Sequence, residues 1–531
     1  MTHAADPTCS EPTGSQPAGS GPTLATTPAA GSGRRLAILL MIGAIFSKCL
    51  GLLREILMAR VFGASIVADG FRAATTGVMI PLAPFQNESV PAVLIPLHHR
   101  WQTEGRAPRL FAALALALTG LAALLAALVL SFAALWVDLL VGGFSPEAKA
   151  KTQVFLTIMA LAMPASVLIN VLAAGEISLG RSRLTTIRAS LLNIAVISGI
   201  VVTMFSHWPD AIAWAFAAAF NMLALWGLAT LVREGALDFT GLRPADVAAA
   251  LIAFGRQILP LTFVPLADQG NVWIERLLAS RYVVGTVASL DYARTITDSA
   301  VLFISQPIGL VLLSRSSGRN DAEKIQAIMR VLFAVGVPGC AALALFAPDV
   351  ARIVFARGAF NETAVQLTAD AIRGIAVGLW ASTIGWVALR ILNGAGRNAL
   401  AAGILIAAYL GNLICNVAMF NLAPSSLSGP LILGLGEAVR GLVLLTATAT
   451  AIGVARPVIG MALRAALPAI GMIICGTYIL EFTHSPWLRL AVAGIAAASW
   501  IAVALGLLAP DVLTVGLAQC RKTLDRRLHR R

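Results

Sequence analysis

Charge is what this sequence has least of. Only 12% of its 531 residues are Asp, Glu, Lys or Arg, about half the share of a soluble domain. Hydrophobic residues make up 58% and mean hydropathy is +0.83. No water-soluble core could hide that much apolar side chain, so lipid is the expected solvent. That excludes a soluble enzyme, a secreted disulfide scaffold and a disordered protein. Cysteine is scarce too. The six are scattered, with no CxxC pair and no Cys/His cluster, so neither a structural disulfide nor a metal site is expected. The six histidines lie at interfaces or in tails. There is no nucleophile–His constellation, no phosphate-binding P-loop and no HExxH motif. An intramembrane hydrolase is not expected, nor any other enzyme, nor direct use of ATP.

What charge there is carries information through its position. The formal balance is +13. On a soluble chain such an excess would suggest nucleic acid. Here it is read along the membrane normal, and no nucleic-acid partner is expected. Between residues 36 and 509 lie 14 apolar segments of spanning length, at about 20 residues per span. With 14 spans the connections alternate, and 24 Lys+Arg fall on the side of the two termini. Only 7 (Arg60, Lys149, Lys151, Arg281, Arg352, Arg357, Arg489) fall on the other. By the positive-inside rule both termini are expected in the cytoplasm, in a multi-pass protein of the bacterial inner membrane. Residues 1–33, rich in Ser, Thr, Pro and Gly, read as a disordered tail, and 512–531 as a basic one.

The remaining eight cations, Lys48, Arg54, Arg72, Arg256, Arg276, Arg294, Arg373 and Arg440, sit inside spans. Facing lipid would cost each about 2.5–3.5 kcal/mol near a helix centre. Most are therefore expected to face protein, a watery cavity or an interface. A repeat organises some of them. Gly63…Asp69…Arg72 and Gly285…Asp291…Arg294 both read G-x5-D-x2-R after a short loop, with Glu55 and Glu275 upstream. Six spans separate them, which implies parallel repeats with a site at their interface. Each Asp–Arg pair is i,i+3 and reads either as a local salt bridge near a helix start or as part of a cavity. Asp268, Asn271 and Glu275 form a second stripe. Asn412 and Asn416 lie i,i+4, suited to inter-helix hydrogen bonds or to an ion.

At Ser47-Lys48-Cys49-Leu50-Gly51-Leu52-Leu53-Arg54-Glu55, Phe62-Gly63-Ala64 and Ala68-Asp69-Gly70-Phe71, the chain resembles the MurJ/MviN family of the multidrug/oligosaccharidyl-lipid/polysaccharide exporter superfamily. Phe355-Ala356-Arg357-Gly358-Ala359-Phe360 and Ile95-Pro96-Leu97 extend the resemblance, which covers nearly all of 36–510. Two stretches depart from the family pattern. Leu82-Ala83 stands where the family has a basic pair, with Glu88 one place out of register. Tyr292-Ala293-Arg294-Thr295 replaces Y-A-D-R.

The resemblance implies an all-α fold of about 14 transmembrane helices in two pseudo-symmetric six-helix lobes, 34–240 and 241–455. Two further helices, within 456–511, would groove a lipid tail. It implies a flippase that moves an undecaprenyl-pyrophosphate-linked glycan, lipid II for peptidoglycan synthesis, from the cytoplasmic to the periplasmic leaflet by alternating access. Lys48, Arg54, Arg72 and Arg294 would bind the pyrophosphate, and Glu55, Asp69, Glu88 and Asp291 would be their acidic partners. Asp268, Asn412 and Asn416 would form a coupling site for Na⁺ or H⁺, with no other cofactor. Expected partners are the lipid-linked glycan, membrane lipid and proteins of envelope synthesis. The departures leave open a flippase for an exopolysaccharide or O-antigen unit. A cation-coupled small-molecule exporter and a non-transporting scaffold for envelope synthesis are the readings from other classes.

Overall fold

The computed structural model describes residues 30–86, 89–313, 321–424, 426–512 and 514, with the backbone path alone over 30–45, 302–313 and 321–324. The expected tail over 1–33 lies outside the described residues as far as residue 29, and helix begins at Ala30. Of the basic tail over 512–531, only 512 and 514 are described. Internal packing separates Met1–Ile45 from Phe46–Arg531. In the smaller unit only the helical backbone from Ala30 is described; everything below concerns the larger one.

All regular structure among the described residues is helical. In chain order the helices are α1 (Ala30–Phe62), α2 (Ile66–Met79), α3 (Ser89–Thr103), α4 (Ala107–Ser131), α5 (Ala133–Val141), α6 (Pro146–Ala160), α7 (Met163–Ser178), α8 (Arg183–Ser206), α9 (Ala211–Arg233) and α10 (Pro244–Ile258). There follow α11 (Phe263–Ala279), α12 (Thr286–Leu313), α13 (Asp321–Leu345), α14 (Ala347–Phe355), α15 (Glu362–Gly394), α16 (Asn398–Leu422), α17 (Gly429–Ile452), α18 (Ala455–Phe482) and α19 (Pro486–Leu508). In a bilayer every backbone N–H and C=O must be bonded within the segment, so helices are the solution open to an apolar chain without strand alternation.

Proline sets the breaks. Pro81 and Pro84 turn Ile80–Phe85 into a 3-10 turn between α2 and α3, because proline cannot donate to an α-helical ladder. Pro260 lies in a second such turn, Leu259–Leu261, and the span is bent there by 59°. Among the described residues nine helices are long and apolar enough to span. The bent pairs α6/α7 and α10/α11 raise the number to eleven. The segments at 36–59, 67–97 and 284–313 fall outside that number. The middle one is interrupted by the Pro81/Pro84 turn, so a continuous span there is replaced by two helices.

The internal repeat is visible in the packing. α2 on α6, α4 on α7, α7 on α9 and α8 on α9 recur as α12 on α15, α13 on α15, α15 on α17 and α16 on α17. In both halves a long helix breaks at a phenylalanine, Phe132 or Phe346, and resumes as a nine-residue helix, α5 or α14. α18 and α19 pack on α13. α15 packs closely on α17, where Gly374, Gly378 and Gly385 let the backbones meet. A Cβ added at Gly378 would lie 2.4 Å from Ala438 Cα. Without a hydrophobic driving force between helices in lipid, such close approach supplies the dispersion contact that holds them.

Candidate functional site

Three loops meet at one end of the molecule, and they are the loops that carry the motifs. The Tyr292 hydroxyl donates to Gly63 O at 2.9 Å, and the Ala359 N–H donates to Arg60 O at 2.8 Å. Gly63 and Gly285 have φ of 60° and 93°, backbone that favours glycine. Each is also pressed against a partner loop: a Cβ on Gly63 would lie 2.4 Å from Ala359 O, and one on Gly285 2.7 Å from Ala64. This end is sealed by backbone-to-backbone contact between the halves.

Asp69 locks the same seal. Its carboxylate accepts the Gly285 N–H at 2.6 Å and the Ala288 N–H at 2.7 Å. Those are free donors at the start of α12, where an anion also meets the positive end of the helix dipole. Asp69 makes no ion pair with Arg72, its i,i+3 neighbour. The helix start across the interface takes the carboxylate instead.

Behind the seal lies a connected ion network. Glu55 is buried on α1. It accepts from Arg54 at 2.7 and 3.1 Å and from Arg72 at 2.5 Å. Arg72, whose side chain is 9% exposed, reaches across to Asp291 at 3.1 Å and lies 4.5 Å from the centre of the Tyr292 ring. Asp291 also accepts from Arg276 at 2.6 Å and sits 3.7 Å from Arg294. Arg294 pairs with Glu275 and with Glu437 at 3.0 Å. Glu437 accepts from Arg440 at 2.6 Å. Five guanidiniums (Arg54, Arg72, Arg276, Arg294, Arg440) and four carboxylates (Glu55, Glu275, Asp291, Glu437) thus run from the first half into the second.

Access differs along this chain of charges. Arg54 keeps 35% of its side chain exposed. It is aimed by Asn193, which accepts from Arg54 Nη1 at 3.0 Å and donates to Ser47 O at 3.2 Å. Lys48 is exposed on α1 and makes no ion pair among the described residues. Arg72 and Arg276 are buried and already paired, Arg72 with Glu55 and Asp291 and Arg276 with Asp291. Two cavities flank the network. One of ≈ 190 Å³ is lined by Arg54, Glu55, Arg72, Arg276 and Asp291, among others. The other, of ≈ 340 Å³, is lined by Asp268, Asn271, Arg294, Asp298, Glu437 and Arg440, among others.

The remaining sequence-derived candidates are placed as follows. Asn412 donates to Glu437 at 3.3 Å, and Asn416 donates to Asn412 Oδ1 at 2.7 Å. Both are buried and tied to the network, whereas Asp268 lies on the cavity wall. Glu88 lies outside the described residues. Four members were not singled out as site residues from the sequence: Glu275, Arg276, Glu437 and Arg440. Glu437 and Arg440 are i,i+3 on a span and Arg276 follows Glu275, and those adjacencies are the signal that marks them. Asn193 has no such signal.

A family model described as "Lipid II flippase MurJ" matches residues 58–492. A lipid II flippase MurJ of Burkholderia cenocepacia is 26% identical over 66% of this chain and 70% of its own length. A probable lipid II flippase MurJ of Rhizobium tropici is 26% identical over 63% of this chain and 65% of its own. Among solved structures, a lipid II flippase MurJ in an inward closed conformation superposes with a TM-score of 0.76 at 17% identity, covering 90% of this chain and all of that one. An inward-facing multidrug resistance MATE family transporter superposes at 0.58 with 15% identity, over 78% and 95%.

Proposed function

Because the chain belongs to the lipid II flippase MurJ family, we propose that it moves lipid II from the cytoplasmic to the periplasmic leaflet of the bacterial inner membrane. The observation that carries this reading is the ion network between the two halves, with Arg54 and Lys48 reachable at its first-half end. A pyrophosphate cannot cross about 30 Å of hydrocarbon unaided. Arginine offers it paired, charge-assisted hydrogen bonds. Arg54 would bind it by exchanging Glu55 for phosphate oxygen, with Lys48 as a second cation. Arg72 and Arg294 act through the network, where their carboxylates are already in place: Arg72 ties the first half to Asp291 of the second, and Arg294 ties Glu275 to Glu437 within the second half.

The sealed end carries Arg60, Arg281 and Arg357 on the cation-poor side, and this supports a periplasmic seal with cytoplasmic termini. Residues 34–240 and 241–455 would rock as two lobes about the charge network, breaking the Asp69 and Arg72 contacts to open the periplasmic side. Residues 456–511 would take the lipid tail, and either the membrane potential or an ion gradient would drive the cycle. Leu82-Ala83, in place of a basic pair, favours a second reading, a flippase for an exopolysaccharide unit.

Complementation separates the two. Cells depleted of their own lipid II flippase should be rescued by this gene and not by its Arg54→Ala or Asp69→Ala variants. Wild type that reaches the membrane without rescuing growth would favour the exopolysaccharide reading.

A further inference from the structure

We propose that the second-half cavity is a subsite for an ammonium group on the transported headgroup, a reading that rests on the flippase function above. The two flanking cavities have opposite polarity. The first-half cavity is lined by three guanidiniums, Arg54, Arg72 and Arg276, against two carboxylates, Glu55 and Asp291. The second is lined by three carboxylates, Asp268, Asp298 and Glu437, against two guanidiniums, Arg294 and Arg440.

Both of those guanidiniums are engaged by Glu437, and Arg294 by Glu275 as well. Asp268 and Asp298 have no Lys, Arg or His within ion-pair distance among the described residues. A third acceptor joins them on the wall. Asn271 is 4% exposed, and its Oδ1 has no hydrogen-bond donor. A buried acceptor left unpaired is costly, so the wall lacks a donor at Asn271 and positive charge at Asp268, which accepts from the neutral Gln269 Nε2 at 3.3 Å. An alkylammonium supplies both, with three N–H donors on one cation. Trp386 adds an aromatic side chain to the same wall, whereas the Tyr409 ring already faces Arg440, 5.8 Å from its centre. A bare metal ion would answer the charge but leave most of ≈ 340 Å³ unfilled. The network links the two cavities through Asp291 and Arg294, so one headgroup with a pyrophosphate at one end and an amine at the other engages both. The subsite would favour amine-bearing lipid-linked units over neutral ones.

The test uses the full chain in nanodiscs and two probes: lipid II with a lysine in its peptide, and the same lipid Nε-acetylated. Each is titrated in sodium and in potassium buffer. The free-amine lipid should bind on the order of tenfold more tightly, as one charged hydrogen-bonded pair implies, in both buffers. Asp268→Asn/Asp298→Asn should bind both lipids like the acetylated one. Asp298→Asn alone, at an exposed side chain, should lose part of the preference without disturbing the fold. Equal affinities in wild type, or a preference that survives in the double variant, would overturn the subsite. So would sodium-dependent binding blind to the amine, which would reassign the acceptors to a metal ion. Wild type that binds neither lipid would overturn the flippase reading itself.

Discussion

Arg54 and Arg72 are both arginines on the first helix pair, yet their surroundings give them different tasks. Arg72 is buried between Glu55 and Asp291. Removing it breaks two buried pairs and leaves Glu55 to Arg54 alone and Asp291 to Arg276 and Arg294, at up to about 3–5 kcal/mol for a broken buried pair. Arg72→Ala should therefore lower the thermal unfolding midpoint in detergent well below that of Arg54→Ala, whose charge is half-exposed. Equal midpoints would show that the network does not bear on stability. Asn193→Ala leaves the charge of Arg54 intact and frees its direction, so binding of lipid II should weaken roughly tenfold, the scale of one hydrogen bond to a charged group, with the unfolding midpoint little changed. Asp69 illustrates why residue-level reading ran short. Its i,i+3 spacing to Arg72 is a local signal, but two backbone N–H groups at the start of α12 outcompete a side chain that Glu55 and Asp291 already hold. Sequence spacing contains no term for that competitor.

At the scale of elements, periodicity and composition show most of the helices and both repeat motifs. They miss how a span is interrupted. The segment at 67–97 has enough apolar residues to cross, but Pro81 and Pro84 divide it. The pairing of Glu437 on α17 with Arg294 on α12 joins residues 143 apart, a contact set by helix packing alone. The α15/α17 contact is likewise invisible except as a run of glycines. Gly378→Val would force a branched side chain into the Ala438 backbone, a conflict costing on the order of 1–3 kcal/mol. Its unfolding midpoint should fall, while Gly403→Val, where a Cβ meets nothing within 4 Å, should be tolerated. The Asp69 cap is an element-scale device too. Two charge-assisted bonds of about 1.5–3 kcal/mol each hold the start of α12 against the first turn of α2. In a cysteine-free background with cysteine at Ala64, Asp69→Ala should make that cysteine reactive to an impermeant maleimide added outside the cell. Continued protection would mean the seal does not depend on Asp69.

Across the whole molecule, the cations fall into two groups. Those outside the spans carry the proposed topology, while five guanidiniums inside the spans form one network with four carboxylates, which Arg72 carries across to Asp291 in the second half. This division was legible early, because a charge in hydrocarbon demands a partner. The identity of the partner was not, since it comes from the other half of the chain. Under the proposed function, control of transport lies in the exchange of Glu55 for pyrophosphate at Arg54. The most direct test is translocation of fluorescent lipid II in proteoliposomes containing the purified full chain. Wild type should move the lipid between leaflets and Arg54→Ala should not, although both insert equally. Equal rates for the two proteins, or no translocation by wild type, would contradict it.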